Sequence, residues 1–363
     1  MSAAAGGPHG RALHGLRRSD APAFGGKSTG LGELLSAQIP VPPGFALSTT
    51  AFAAFMRASD LDHVADEALA PVLTGDVEAT REASREIAAA MSSAPLPGDV
   101  RDELAARYDE LAASAGVQSP PVAVRSSAVG EDSEDATFAG QQETRLWVRG
   151  VEDVCAAVRD CWTSLFSPTA ISYRARLGER SRPAMGAIIQ LMVDAAVSGV
   201  MFTCNPVSGD PSMVAINASW GLGLAVVGGE VTPDDYLVSK VTGEIVREQL
   251  GGKHVQYVPS VDGHGAELVE VPVPRRELAC LDAEMLAALI DLGRRVERHF
   301  GSHQDIEWAI ARAGVPPENV FVVQSRPVTT VPRRVKPTEP PPSALALVMG
   351  TFGAAQTRTE EER

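Results

Sequence analysis

The sequence has few cysteines and no long apolar run, and these absences exclude several classes of protein. Its four cysteines, Cys155, Cys161, Cys204 and Cys280, form no CxxC pair, and their spacing fits neither a zinc site nor a disulfide framework. We therefore predict reduced thiols, as in a cytoplasmic protein. There is no run of about eighteen apolar residues, so no membrane span is predicted. Residues 1–15 are rich in Gly, Ala and His and have no apolar core, so no secretory signal is predicted.

An excess of basic residues is also missing. The chain has 32 lysines and arginines against 46 aspartates and glutamates, which gives a net charge of −14. A nucleic-acid-binding surface normally needs a basic stripe, so we predict no nucleic-acid partner. A small anionic ligand remains compatible with this charge, because a few local cations can hold phosphates within an acidic protein.

The pattern of apolar residues predicts an α/β protein. Helical periodicity marks Val77–Met91 and Val151–Phe166, whereas short strand signals such as Met213–Asn217 and Val320–Gln324 dominate the second half. The apolar stretch Ala344–Phe352 is a candidate segment for docking a partner. We predict four segments: a flexible leader at 1–20, a first block at 21–195, a second block at 196–331, and a proline-rich linker and tail at 332–363.

The segment GGKST at 25–29 joins two glycines to a lysine. Glycines let the backbone approach a ligand closely, and Lys27 could reach a phosphate. The segment is not a P-loop, because the first glycine of that motif falls on Ala21. Taken alone, the segment is more typical of a glycine turn with an exposed lysine.

The segment VRSSA at 124–128 places Arg125 where a short strand enters a loop. A guanidinium can pair bidentately with phosphate oxygens. The residues that follow, up to Gly140, are acidic or small and suit a loop that closes over a polyphosphate. The alternative is an ordinary surface loop with a solvated arginine.

Two short segments near the end of the second block carry alternating polar side chains. In a strand, Asp305 and Glu307 would point to the same face, because side chains repeat every two residues. Gln324 and Arg326 have the same spacing on the next strand. Mg²⁺ prefers oxygen ligands and needs few protein groups, so these strands predict a magnesium and phosphate site. A solvated strand face is the alternative.

Taken together, these segments resemble the ATP-binding half of the phosphoenolpyruvate synthase, pyruvate phosphate dikinase and rifampicin phosphotransferase family. The resemblance runs in order from about Gly25 to Thr330. It implies an ATP-grasp fold, in which two α/β subdomains clamp the nucleotide. It rests on these segments: GGKSTGLGEL, IPVPPGFALST, VRSSAVGEDSEDATFAGQQET, SGVMFTCNPVSGD, WGLG, TPDDY, DIEW and QSRP.

The resemblance also implies roles for single residues. The implied ATP contacts are Lys27, Arg125, Gly140, Thr144, Gln190, Glu307, Gln324 and Arg326. Lys27, Arg125 and Arg326 match the catalytic cations on the phosphates. Glu307 and Gln324 match the magnesium ligands, and Asp305 lies beside them.

The implied activity is that of a dikinase, which splits ATP into AMP, phosphate and a phosphohistidine. None of the seven histidines lies in a Gly/Thr-rich segment, so we expect the phosphate-carrying histidine and the acceptor site on a separate partner subunit. The architecture is similar to that of the ATP-binding subunit of phenylphosphate synthase.

Two other functions remain open at this point. Many members of the family have GLGE where this chain reads Gly221-Leu222-Gly223-Leu224, and this difference is compatible with a non-catalytic ATP-binding regulator. The chain is also compatible with an ATP-binding fragment of an antibiotic phosphotransferase.

Overall fold

The computed structural model describes residues 8–128, 144–177 and 183–328. Gly140 and the predicted linker and tail lie outside these ranges. The helices are α1 Ala21–Phe24, α2 Gly26–Ser36, α3 Thr49–Ala58, α4 Leu61–Leu69, α5 Val77–Ser93, α6 Gly98–Ala115, α7 Val151–Thr163, α8 Pro168–Leu177, α9 Leu224–Val227, α10 Val273–Arg276 and α11 Ala283–Phe300. The strands are β1 Gly10–Ala12, β2 Gly44–Leu47, β3 Val122–Ala128, β4 Thr144–Val148, β5 Met185–Leu191, β6 Ala195–Phe202, β7 Met213–Trp220, β8 Asp234–Ser239, β9 Ile245–Gln249, β10 Val255–Pro259, β11 Ala266–Glu270, β12 Gln304–Ala311 and β13 Val320–Pro327.

The first half of the chain forms a five-stranded antiparallel sheet with the strand order β1-β2-β5-β3-β4. Because side chains alternate along β3, Val122 and Val124 face one side of the sheet and Arg125 faces the other. The valines are fully buried in a core shared with α3 to α7, whose centre includes Trp162. Apolar packing on one face therefore directs Arg125 to the opposite face.

The predicted flexible leader is wrong for the part that the structure describes. Residues 10–12 form β1, which pairs with β2, and Leu13 and Leu16 are completely buried. The Glu103 carboxylate accepts hydrogen bonds from the backbone N–H groups of His9 and Gly10, at 2.9 and 2.8 Å. The large apolar residues of this segment are two leucines, which is too few for a recognisable pattern. Tertiary contacts rather than local sequence therefore determine its structure.

The second half forms a six-stranded antiparallel sheet with the order β13-β12-β6-β7-β8-β9. One face packs on α11, and α2 and the segment around Ile39 and Val41 join the same core. The carboxylate of Asp282 caps α11 by accepting from Met285 N at 2.8 Å. The predicted α/β class is confirmed, with antiparallel sheets. None of the described helices is long and apolar enough to cross a membrane.

The hairpin β10–β11 connects the two halves at a distance from α11. Gly265 N donates to the carbonyl of Trp147 at 3.0 Å, next to β4, and Leu222 N donates to the carbonyl of Tyr257 at 2.9 Å. Trp147 and Leu222 belong to a small apolar cluster that includes Ala195 and Ala309. The hairpin and the small apolar cluster thus link the two sheets, and a space remains between the sheets.

A buried ion pair stabilises the second half away from this space. Lys253 and Asp234 are both completely buried and form a salt bridge. Asp234 also accepts from the backbone N–H groups of Gly251 and Cys280, at 2.9 and 2.8 Å, and Lys253 donates to the Gly251 carbonyl at 2.8 Å. Every strong donor of this network meets an acceptor, as a buried charge requires.

Replacing Lys253 with methionine leaves the Asp234 carboxylate buried without its counter-charge. We expect the substitution to lower the free energy of unfolding by about 3–5 kcal/mol. Denaturant unfolding monitored by circular dichroism measures this loss. Arg85→Met is the matched control, because it removes one side of the exposed Arg85–Glu82 pair, and we expect a change of about 0–1 kcal/mol. Equal effects of the two substitutions would contradict the assignment.

Candidate functional site

A cavity of about 640 Å³ lies between the two sheets. Its polar lining comes from both sheets and contains six of the side chains singled out in the sequence: Arg125, Thr144, Gln190, Glu307, Gln324 and Arg326. Neither Lys27 nor Asp305 is among the residues that line it. Residues that are as far as 201 positions apart in the chain, Arg125 and Arg326, thus form one site.

The strand register places Glu307 directly opposite Gln324 and Asp305 opposite Arg326. The two pairs share the cavity face of the sheet, as the i, i+2 spacing predicts, whereas Ile306 and Trp308 point into the core. The register between β12 and β13 shifts by one residue at this point, so that Trp308 lies opposite Val322 and both are buried in the core.

Arg125 reaches from β3 to the other sheet. Its Nη1 lies 3.3 Å from the carbonyl oxygen of Val323, 3.4 Å from Gln324 Oε1 and 3.6 Å from Glu307 Oε2. All three contacts are longer than the roughly 2.7–2.9 Å of a strong charge-assisted hydrogen bond. Its Nε is buried and has no hydrogen-bond partner among the described residues. A buried guanidinium with unused donors at a cavity wall is suited to bind an anion.

Asp305 is engaged by Arg326. Both Nε and Nη2 of the guanidinium lie 2.8 Å from Asp305 Oδ2. Burial raises the pKa of the Asp305 carboxyl, and Glu307 nearby adds to the rise, although Arg326 acts in the opposite direction. The geometry favours Asp305 as the residue that orients Arg326, and leaves Glu307 as the carboxylate on the cavity wall.

The expectation of an exposed lysine in a glycine turn is wrong. Lys27 is only 6% exposed and lies in the first turn of α2, where Nζ donates to the carbonyl of Ser126 at 3.4 Å. The start of α2 is fixed to β3, because the Ser28 and Ser127 hydroxyls lie 2.7 Å apart. Lys27 therefore sits beside the same strand as Arg125. Thr144 pairs with Arg125 across β3 and β4 and lines the cavity from there.

Gln190 lies on β5, opposite Ala123 of β3, and also lines the cavity. Its side chain is 2% exposed, and Nε2 donates to the carbonyl of Pro42 at 3.2 Å. This bond fixes the orientation of the amide and leaves Oε1 as the acceptor available to a ligand in the cavity. The surrounding wall is apolar and was not identified from the sequence; it contains Leu146, Leu191, Met192, Val193, Leu222, Val227 and Val323. Each of these residues is ordinary by itself, and only the proximity of the sheets makes them a surface.

Leu224, where the family resemblance implies a glutamate, also lines the cavity. The segment that carries it is anchored from both sides. The Ser198 hydroxyl donates to the carbonyl of Gly221 at 2.6 Å, and Trp220 Nε1 donates to the carbonyl of Arg275 at 3.1 Å. The Arg275 guanidinium stacks 4.1 Å from the centre of the Trp220 ring. Trp220 is therefore a support for this wall rather than a part of it.

The oxygen atoms of Glu307 and Gln324 suit a hard divalent cation. Mg²⁺ typically takes one or two protein oxygens and completes its shell with water and phosphate oxygens. Within the described ranges, no group of three or more His, Cys, Asp or Glu side chains could form an all-protein metal cage. The residues present therefore fit a magnesium ion that is carried largely by a phosphate ligand.

Comparison with known proteins identifies the family of the chain. The sequence model described as the pyruvate phosphate dikinase AMP/ATP-binding domain matches residues 21–344. The chain belongs to this family. Family membership identifies a nucleotide as the ligand class, and the cavity between the sheets is the candidate for its binding site.

Several relatives of this chain are named as phosphoenolpyruvate synthases. The protein from Methanothermobacter thermautotrophicus, a probable phosphoenolpyruvate synthase, is 40% identical over 89% of this chain and 46% of its own length. A probable phosphoenolpyruvate synthase from Methanocaldococcus jannaschii is 37% identical over 89% of this chain and 27% of its own. The phosphoenolpyruvate synthase from Pyrococcus furiosus is 36% identical over 87% of this chain and 43% of its own. The chain thus spans less than half the length of these relatives.

The contact between α2 and β3 gives a test of how the lysine is positioned. Gly25 has φ +82°, and a Cβ there would lie 2.2 Å from the carbonyl oxygen of Ser127. We expect Gly25→Ala to lower the free energy of unfolding by about 1–3 kcal/mol and to weaken nucleotide binding, because α2 must move.

Gly30→Ala is the matched control, since its Cβ would meet only the Ser325 carbonyl at 3.8 Å. This substitution is expected to be neutral or to stabilise the helix by up to about 1 kcal/mol. Thermal unfolding and calorimetric titration with ATP measure both effects. Similar behaviour of the two alanine variants would disprove the close-packing argument.

Proposed function

We propose that the chain binds Mg-ATP in the cavity and that it is an ATP-grasp domain. The subdomains at 21–195 and 196–331 would then clamp the nucleotide between the two sheets. The observation that carries the proposal is the position of Arg125, which lies on one sheet and contacts Glu307 and Gln324 on the other. A polyphosphate with its metal ion is a ligand that uses all three groups.

The triphosphate would lie at the end of the cavity marked by Arg125 and Arg326. In this proposal both guanidiniums, together with the ammonium of Lys27, offset the charge of the phosphoryl group during transfer. Glu307 and Gln324 would hold the magnesium ion, which bridges phosphate oxygens and neutralises developing charge when it is bound. Asp305 would keep Arg326 in place through its ion pair.

The adenine base would lie at the other end, against the apolar wall. There the Gln190 Oε1 would accept a hydrogen bond from the exocyclic amine of adenine. Guanine presents a carbonyl oxygen at this position, and two acceptors facing each other in a buried site are unfavourable. The fixed amide therefore favours ATP over GTP. Thr144 would contact the sugar side, and Gly140 would belong to the loop over the phosphates.

The proposed reaction is of the dikinase type. ATP and water would yield AMP, inorganic phosphate and a phosphohistidine that retains the β-phosphate. The histidine would belong to a separate partner subunit that also binds the final acceptor, a phenol-like or other small hydroxyl or enol compound. The names of the relatives, which are phosphoenolpyruvate synthases, and the resemblance to phenylphosphate synthase support this reaction class. A cytoplasmic location is part of the same proposal.

A non-catalytic ATP-binding regulator is the second candidate. Leu224 favours it, because an apolar side chain lines the cavity where many relatives have a carboxylate. Glu307 beside Gln324 fits either candidate, because a bound Mg-ATP complex uses metal ligands whether or not it reacts.

The reaction is tested by supplying the chain with ATP, Mg²⁺ and a histidine-domain protein of this family. We expect AMP to form, and we expect Glu307→Gln to reduce its rate by about 10²–10³-fold, because the metal loses its charged ligand. Chromatographic quantification of AMP measures the rate. Glu318→Gln makes the same change at an exposed position and should match the unsubstituted protein. Tight ATP binding without AMP formation with any such protein would favour the regulator.

Base selection has its own test at Gln190. We expect Gln190→Leu to weaken ATP binding by about 10–100-fold, because the exocyclic amine loses its acceptor, while GTP binding changes little. Calorimetric titration of both nucleotides measures the ratio of their dissociation constants. Met192→Leu is the control, since it alters the same wall without removing a hydrogen-bonding group. An unchanged ATP/GTP ratio in Gln190→Leu would rule out the assigned role.

A further inference from the structure

A single nitrogen atom of Arg125 lies close to both oxygens that the proposed metal site offers. Nη1 is 3.4 Å from Gln324 Oε1 and 3.6 Å from Glu307 Oε2. We propose that the guanidinium of Arg125 takes the electrostatic place of the divalent cation in the nucleotide-free protein, so that metal enters only together with the nucleotide. This inference rests on the proposed function and adds an order of binding to it.

The charges around the cavity explain why the metal ion alone is excluded. The charged side chains on the described lining are Arg125, Arg326 and Glu307. Arg326 is already compensated by Asp305 at 2.8 Å. Arg125 is therefore the cation that compensates Glu307, and these two side chains are only 13% and 30% exposed. A divalent ion at Glu307 would face a neighbouring guanidinium in a partly buried site, where like charges repel more strongly than in bulk water.

The same contacts are weak enough to be exchanged. Three acceptors share one nitrogen at 3.3–3.6 Å, whereas a strong charge-assisted bond is about 2.7–2.9 Å long. The Nε of Arg125 is buried with no partner among the described residues, so the guanidinium has an unused donor. Phosphate oxygens would satisfy that donor and attract the guanidinium away from Glu307.

The exchange couples the two ligands. Once Arg125 pairs with phosphate, the oxygens of Glu307 and Gln324 are available to a metal ion, and the phosphates supply its remaining ligands. Coupling between two ligands is reciprocal, so the metal must also strengthen nucleotide binding by the same factor. The chain would bind the metal–nucleotide complex tightly. It would bind the metal ion alone and the metal-free nucleotide only weakly.

The test uses Mn²⁺ as a spectroscopic substitute for Mg²⁺. Electron paramagnetic resonance of free Mn²⁺ gives its dissociation constant for the nucleotide-free chain. We expect Arg125→Met to bind Mn²⁺ alone at least about 10-fold more tightly than the unsubstituted chain, since one decade is a typical coupling between adjacent sites. Arg125→Gln, which keeps a polar group in place, should behave in the same way and serves if the methionine variant does not fold.

Two controls assign the effect to the site. Arg57→Met removes one positive charge from the exposed part of α3 and should leave Mn²⁺ binding unchanged. Adding Glu307→Gln to Arg125→Met should abolish the gained affinity. With a non-hydrolysable ATP analogue present, the unsubstituted chain should bind Mn²⁺ tightly.

Two results would overturn the inference: Mn²⁺ alone binding the unsubstituted chain as tightly as the Arg125 variants, or binding to none of them. Either result leaves the proposed function intact if ATP still binds with metal. Failure of the unsubstituted chain to bind ATP at all would instead disprove the proposed function.

Discussion

The contact between Arg125 and the Glu307–Gln324 pair is the interaction on which the site depends. It joins a cation from the five-stranded sheet to a carboxylate and an amide from the six-stranded sheet. Each partner is placed by apolar packing on the reverse face of its own strand: Val122 and Val124 behind Arg125, and Ile306 and Trp308 behind Glu307. The apolar faces of the two strands are buried in separate cores. The polar groups on the opposite faces therefore point into the space between the sheets and meet there.

The space around that contact is kept open by links at its two sides. Near α2, Val322 N donates to the Pro40 carbonyl at 2.8 Å, so the N-terminal segment is attached to β13. At the other side, the hairpin β10–β11 connects β4 to the wall that carries Leu222. Between the linked sheets lies a cavity of about 640 Å³ that both polar and apolar side chains line.

Not every charged motif in the chain serves the site. The TPDDY segment provides Asp234, which is buried with Lys253 and contributes to the stability of the second half. Asp235, the next residue, pairs with Arg247 on the neighbouring strand at 2.6 Å. Sequence alone gives these aspartates the same appearance as Asp305 and Glu307. The difference lies in their surroundings: of these four carboxylates, Glu307 alone is among the residues that line the cavity between the sheets.

The sequence by itself determined the α/β class, the family, and the shared strand face of Asp305 with Glu307 and of Gln324 with Arg326. These features follow from local periodicity and from residue order, so they need no knowledge of distant contacts. Prediction from the sequence failed where the structure depends on residues distant in the chain. The segment 10–20 begins with a strand that pairs with β2, next to the Glu103 carboxylate, and Lys27 is buried against β3.

Only the tertiary structure decided which arginine pairs with which carboxylate. Arg125 is separated from Gln324 by 199 positions, so no local pattern relates them. The pairing of Asp305 with Arg326 and of Glu307 with Arg125 gives the two carboxylates of one motif different roles. The physical reason is that a partly buried charge interacts most strongly with its nearest opposite charge, and the fold determines which charge that is.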